Sequence, residues 1–453
     1  MVGLTVSLQN AASAQRAFDR ALQTVQNNVS NVYTPGYARQ RATFRNSPFN
    51  PDEGLPGGVR SGVLQDTRAL YAEGAVRDQQ GRLHYDQQLQ ADLSRLEKAF
   101  DFNSPKAIPS ALSSFFNSFS QLSVNPNDKL LRQTVIDESK AVVGSFQLTS
   151  TEIARASAQA DSQIRDSVTS INDRISQLEQ INKQRRLTPN ASHDAGLDAE
   201  VYATLEEISQ YAKVQPLFQP DGTVTVYLNG RTPLLVGENQ YRIYHDPTNA
   251  ATAIRDSENR DITAQIDDGK LGASLRLRNR ILPGYATDLN ALAKGVADQV
   301  NLQQRAGVTP AGTAPVSDIF VYDSALGEAG TIAVTAITTD DLAAALPTAP
   351  GGNGNALNQA ELARTKTING LNFSEYFGSI GAHFGRDLQT SRANTKTGES
   401  LLAQTRNYRQ EISGVNLDEA AAELVQYQRA YQASAELFRV LNQLTETTLG
   451  LLR

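Results

Sequence analysis

The sequence predicts a mainly α-helical fold: paired terminal coiled-coil helices, a long helical-bundle rod, and an inserted α+β/β outer domain. Three observations predict it. Apolar residues recur at alternating spacings of three and four at both ends of the chain. No proline interrupts residues 128–188. Strand-like runs punctuated by Asp-Gly and Asn-Gly turns cluster in the middle.

The N-terminal seam runs through Leu4, Leu8, Ala11, Gln15, Phe18, Leu22, Val25, Val29 and Val32. Its four-three alternation is the a/d pattern of a coiled coil, broken only by Gln15. Thr34-Pro35-Gly36-Tyr37 then places Pro and Gly at the centre of a type II turn, which ends the helix near Val32. Residues 46–62 are rich in Pro, Gly and Asn and read as a loop or extended linker.

Helices are expected over 76–100 and 105–122, and Asn125-Pro126-Asn127-Asp128 marks a turn and a fresh helix start. The next helix can run to residue 188, a rod of roughly 90 Å at about 1.5 Å per residue. Val142, Phe146, Thr149, Ile153, Ala156 and Ala160 keep a seam along it. Ile164, Val168, Ile171, Ile175 and Leu178 resume that seam after a four-residue stutter. A helix this long needs partners, and residues 362–364 and 398–412 are the candidates.

A helix over 197–212 leads into strands at 224–228 and 241–244, with turns at Asp221-Gly222 and Asn229-Gly230. A helix over 283–304 and strands at 319–322 and 331–337 follow. Residues 350–355 read as a flexible exit. At the C-terminus, Gly414 ends a helix and Asn416 caps the next, with Glu419 at capping-box spacing. The closing seam is Leu417, Ala420, Leu424, Tyr427, Tyr431, Ser434, Phe438 and Leu441, weakening at Thr445 and Thr448.

The expected organisation is a terminal coiled-coil domain (1–58 with 413–453), a helical rod domain (59–214 with 355–412) and an inserted mixed domain (215–354). A lone two-helix hairpin is marginal in water, because nucleation and ordering entropy oppose it. The two seams therefore call for more cover than each other, and neighbouring subunits can supply it, coupling the folding of the ends to assembly. Periodicity alone leaves an intramolecular stalk or an ordinary coiled-coil dimer open.

Composition narrows the function classes. Net charge is −6 over 453 residues, with 40% hydrophobic and 20% charged residues. No global basic field points to nucleic acid or an anionic membrane. Arg39, Arg41 and Arg45 form a local basic cluster, read as a solvated or subunit-contacting face rather than a phosphate site. No run approaches 18 consecutive apolar residues, and the first residues lack the basic and apolar regions of a cleavable secretory signal.

Cysteine is absent, which excludes disulfides and thiolate chemistry and suits a chain exported unfolded. The four histidines, His84, His193, His245 and His383, show no metal-ligand spacing, so no metal and no cofactor is expected. Asp267-Asp268 and Asp340-Asp341 are read as solvated loop pairs rather than a glycosidase dyad. There is no Walker loop, dinucleotide fingerprint or nucleophile elbow, and the chain is read as a non-enzyme.

The run Asn27-Asn28-Val29-Ser30-Asn31-Val32-Tyr33-Thr34-Pro35-Gly36-Tyr37-Ala38-Arg39-Gln40 resembles the N-terminal signature of bacterial flagellar axial proteins, the rod, hook and hook-associated proteins. Ser413 to Ala420 and Leu424 to Ala435 are similar to the matching C-terminal signature. Internal stretches at 115–139, 197–226 and 269–301 resemble the hook-associated branch.

The resemblance implies a tubular assembly at the hook–filament junction, export through the flagellar type III apparatus, and an extracellular location. It implies as partners other copies of the chain, the hook protein, the second hook–filament junction protein, and a cytoplasmic export chaperone at the C-terminal helix. It assigns Asn28, Asn31, Pro35, Gly36 and Tyr37 to one signature and Tyr427, Gln428, Tyr431 and Ala433 to the other, in helix termination and seam packing. Another axial component, either the hook protein or the second junction protein, and a secreted coiled-coil adhesin are the alternative readings.

Overall fold

The structure, a computed structural model, describes residues 2–47, 57–100, 104, 107–187, 194–247 and 251–450. Helix α1 (Val2–Ser30) carries the N-terminal seam and stops where the sequence predicts. The turn after it is closed by the Tyr37 amide donating to the Thr34 carbonyl at 3.2 Å. Gly36 sits at φ +73°, a region that glycine enters without strain.

The expected loop at 46–62 is instead part of a β-hairpin. Strand β1 (Gln40–Asn46) pairs antiparallel with β2 (Val59–Asp66), from Gln40 opposite Asp66 to Asn46 opposite Val59. Most of the Pro, Gly and Asn residues that suggested a loop fall within 48–56, which lie outside the described residues.

Helix α2 (Leu70–Leu96) and helix α3 (Ile108–Val124) lead to α4 (Lys129–Leu187), whose 59 residues span about 88 Å. The Asp128 carboxylate caps α4 by accepting from the Leu130 amide at 2.7 Å. The predicted seam of α4, from Val142 to Leu178, is buried except for half-buried Ala156.

Helix α5 (Ala195–Ser209) precedes a four-stranded antiparallel sheet: β3 (Val214–Phe218), β4 (Val224–Leu228), β5 (Thr232–Val236) and β6 (Asn239–Gln240). The β4–β5 turn uses Asn229 at φ 46° and Gly230 at φ 69°, as Asn-Gly turns require. The predicted strand at 241–244 does not form. Only β7 (Tyr244–Asp246) does, paired with β8 (Ala253–Arg255). Ile243 turns inward and its backbone bonds to the Asn172 side chain instead.

Helix α6 (Gly269–Arg276) runs through a π-helical turn at Leu277–Ile281 into α7 (Leu282–Ala306). The strands predicted at 319–322 and 331–337 shrink to β9 (Phe320–Val321) and, after the short helix α8 (Glu328–Thr331), β10 (Ala333–Val334). Helix α9 (Gly354–Glu361) begins within the expected flexible exit, whose residues 350, 351 and 353 are exposed and whose last residue is packed. Asn355 is fully buried and its amide donates to the Ala343 carbonyl at 2.7 Å.

Helix α10 (Phe373–Ser413) opens with a capping box between Asn372 and Glu375. Its residues 398–412 pack on α2, where Leu402 joins Val76 and Leu83, and not on the long helix as expected. Gly398 permits that approach, since a Cβ there would stand 3.2 Å from Leu83. Helix α11 (Leu417–Gly450) closes the chain and packs antiparallel on α1.

Two hydrophobic cores divide the length of α4. The first half packs with α3, α7, α9 and the start of α10 around Phe115, Phe119, Phe146, Phe320 and Phe377. The second half packs with α5, α6 and the β-sheet around Ile164, Ile171, Leu205, Val226 and Leu234. Residues from 215–354 contribute to both. Neither core contains a residue of α1, the hairpin or α11.

Candidate assembly interface

The interface starts from the two seams. On α1, Leu4, Leu8, Phe18 and Leu22 are half-buried, while Ala11 and Val25 are buried. Facing them on α11, Ala420 is buried, and Leu424, Tyr427, Tyr431, Ser434, Phe438 and Leu441 are half-buried. Gln15, the polar break in the N-terminal seam, donates to the Tyr431 hydroxyl at 3.1 Å, so the break is matched across the pair. Phe44 of the hairpin stands between the helices, 5.7 Å from the Phe18 ring and 6.0 Å from that of Tyr427.

A second face of α1 escaped the sequence reading. Ala17, Ala21, Thr24 and Asn28 are all buried, and the hairpin covers this side of the helix. Ser13 extends the contact, its hydroxyl donating to the Val59 carbonyl at 3.0 Å. The signal was a stripe of small residues spaced four, three and four, which admits a sheet at close range.

Asn28 ties the helix to the first strand. Its amide donates to the Gln40 carbonyl at 2.8 Å, and its side-chain oxygen accepts from the Gln40 amide and the Tyr37 hydroxyl, each at 2.9 Å. Burial raises the Tyr37 pKa above the ordinary tyrosine range. Asn31 holds the turn through the Thr34 hydroxyl at 3.0 Å. Pro35 is exposed. Gly36 presses on α5, where a Cβ would lie 2.2 Å from the Ala199 carbonyl oxygen.

Three expected seam residues are exposed. Leu417 is 46% exposed at the first residue of α11, and Gln428 and Ala433 point to solvent. Gln428 and Ala433 each sit one helical step, about 100°, from a seam position, whereas Leu417 lies on the seam but before the point where α1 covers it. Glu419 does not close a capping box. Its carboxylate pairs with Arg39 at 2.5 Å and Arg41 at 3.5 Å, while Asn416 alone caps the Asp418 and Glu419 amides.

The result is an unequal pair. Helix α1 is covered on two sides, whereas Ala420 is the one buried residue of α11. Leu437, Val440 and Leu444 form an apolar flank beside the C-terminal seam, each about half exposed, and Ala433 extends it. The apolar face of α11 is thus wider than the part that α1 covers. Among the described residues no group of three His, Asp or Glu side chains could hold a metal, and no helix is long and apolar enough to cross a membrane.

Comparison with known proteins agrees with this geometry. Residues 93–320 match the helical domain of flagellar hook-associated protein FlgK. Residues 8–37 match the flagella basal body rod protein family, and residues 406–451 the C-terminal family of flagellar basal body rod FlgEFG proteins. Flagellar hook-associated protein 1 of Bacillus subtilis is 25% identical, the alignment covering 99% of each chain. Its counterpart in Escherichia coli is 23% identical, covering 98% of this chain and 99% of the relative.

The solved structure of the flagellar hook junction protein FlgK from Burkholderia pseudomallei superposes with a TM-score of 0.68 at 15% identity. It covers 75% of this chain and 100% of that one, which establishes a shared fold. With its helical domain matched across half its length and both terminal helices matched to axial families, the chain belongs to the FlgK family of flagellar hook-associated proteins.

Proposed function

We propose that this chain is a structural subunit of the bacterial flagellum, working outside the cell at the junction between hook and filament, and that copies of it assemble into a tube through α1 and α11. The supporting observation is the uncovered flank of α11, Leu437, Val440 and Leu444 with Ala433, lying beside a seam that α1 half covers. Burying the exposed half of each of those large side chains contributes roughly 1 kcal/mol, so a neighbour's helices stabilise what the isolated pair leaves exposed.

The role is mechanical and rests on packing rather than on a reaction. The proposed partners are other copies of the chain, the hook protein on one side, and the second hook–filament junction protein on the other. A cytoplasmic chaperone covering α11 before export fits the same apolar flank. Absence of cysteine suits passage through an export channel, where a stray thiol could cross-link.

Electron microscopy of cells lacking this chain tests the reading. Hooks without filaments are expected, with filament subunits shed into the medium. Normal filaments on such cells would refute the junction role.

A further inference from the structure

The terminal unit, α1 with the hairpin and α11, shares no apolar core with the rod, and its substantial packing partners all lie within the unit. A cleft lined by Phe44, Val63, Leu64 and Asp66 on one side and Asp198 on the other parts the hairpin from α5. Apart from the close backbone approach of Gly36 to α5, what fixes the angle between unit and rod is polar, and it is concentrated where the chain leaves the unit and later returns.

Four segments meet there. Arg68, just before α2, donates to the Gly36 carbonyl of the signature turn and to Glu73 of α2, each at 2.7 Å, and lies 3.8 Å over the Tyr202 ring of α5. Arg409 of α10 bonds Glu73 at 3.1 Å and Glu206 of α5 at 2.8 Å, and Arg406 also reaches Glu206 at 2.8 Å. The Arg68 and Glu73 side chains are only 3% and 6% exposed. Backbone bonds complete the crossing: the Arg39 amide donates to the Ser413 carbonyl at 2.9 Å, and the Ala69 amide to the Ser413 hydroxyl at 3.1 Å.

A buried ion network is weak evidence for stability, because desolvation opposes it, but it is well suited to selecting one geometry. The geometry points to Arg68, Glu73, Glu206 and Arg409 as positioning residues, a buried lock that sets the angle at which the terminal unit leaves the rod. Its consequence for assembly rests on the function proposed above: subunits tile into a tube only if every copy presents α1 and α11 at the same angle.

The cysteine-free chain permits a direct test in the monomer. Spin labels are placed at exposed sites on either side of the crossing, Val63→Cys on β2 and Asp173→Cys on α4, and the distance distribution is recorded. The intact lock is expected to give one narrow distribution. Combined Glu73→Gln and Glu206→Gln, or Arg409→Met alone, should at least double its width while the rod melts at its usual temperature, and Arg409→Lys should restore most of the narrowness.

Arg406→Met, at the exposed edge of the network, should give a smaller broadening and serves if the deeper variants fail to fold. A broad distribution in the unaltered chain would overturn the lock, as would an unchanged width in the folded variants or broadening only when the rod itself melts. Failure of the unaltered protein to assemble would instead sink the assembly reading and leave the lock standing, since the label distance requires no second copy.

Discussion

At the scale of single residues, the turn after α1 concentrates the most exacting geometry. Asn28→Ala would strand the half-buried Gln40 amide and carbonyl together with the Tyr37 hydroxyl, at a cost of about 1–3 kcal/mol to the terminal unit. Hydrogen exchange of α1 measures it, and an unchanged protection pattern would show that Asn28 is dispensable. Gly36→Ala should be worse, because it combines a positive φ with a clash against the α5 backbone.

His84 supplies a pH test. Burial, with Lys270 and Arg406 nearby, pushes its pKa down from 6.5 to about 4. The unfolded chain therefore binds the extra proton between those values, so stability should fall as pH drops from about 6.5 to 4 and hold steady above. His84→Gln should flatten that slope in denaturant midpoints.

Glu206 acts lower. Burial alone would raise its pKa, but Arg409 and Arg406 outweigh it and hold the group below the usual glutamate value of 4.5. Its stabilisation is complete above 4.5 and is lost only as pH falls through the depressed value. Sequence reading found Asn28 and Gly36 through their motif, yet no local pattern pairs Glu73 with Arg409, 336 positions away.

At the scale of elements, legibility followed periodicity. The seam of α4 was readable because eleven positions, in two runs joined by one stutter, keep a three-four spacing over two cores. Gly144 lies on the exposed side of that helix with open space where a Cβ would go. Gly144→Ala should stabilise the rod by about 0.5–1 kcal/mol, read as a raised thermal midpoint, whereas Ile171→Ala in the second core should cost about 2–5 kcal/mol.

The hairpin was not legible. Its strands, QRATFRN and VRSGVLQD, place arginines among few apolar residues, because one face covers small residues of α1 and the other meets solvent. The partner of residues 398–412 was misjudged for a related reason. Periodicity identifies a face that must be buried but not which helix covers it.

At the scale of the whole molecule, the chain goes out through α1, builds a rod with two cores, and returns through α10 to α11. That circuit was visible from the mirrored terminal seams. The division of residues 215–354 between two cores was not, since it depends on where α7 and the sheet dock along α4. Deleting residues 417–453 should leave both cores folded, because neither includes α11, and abolish assembly. Replacing Leu437 and Leu444 with Asp should block assembly without lowering the thermal midpoint of the rod, which light scattering and melting measure side by side.

The most direct test is hydrogen exchange over α1 and α11, compared between dilute monomer and the assembled tube. Protection should be modest in the monomer and rise steeply on assembly, with α4 unchanged. Terminal amides already protected to the level of α4 in the monomer, and unaltered by assembly, would contradict the claim that neighbouring subunits complete these helices.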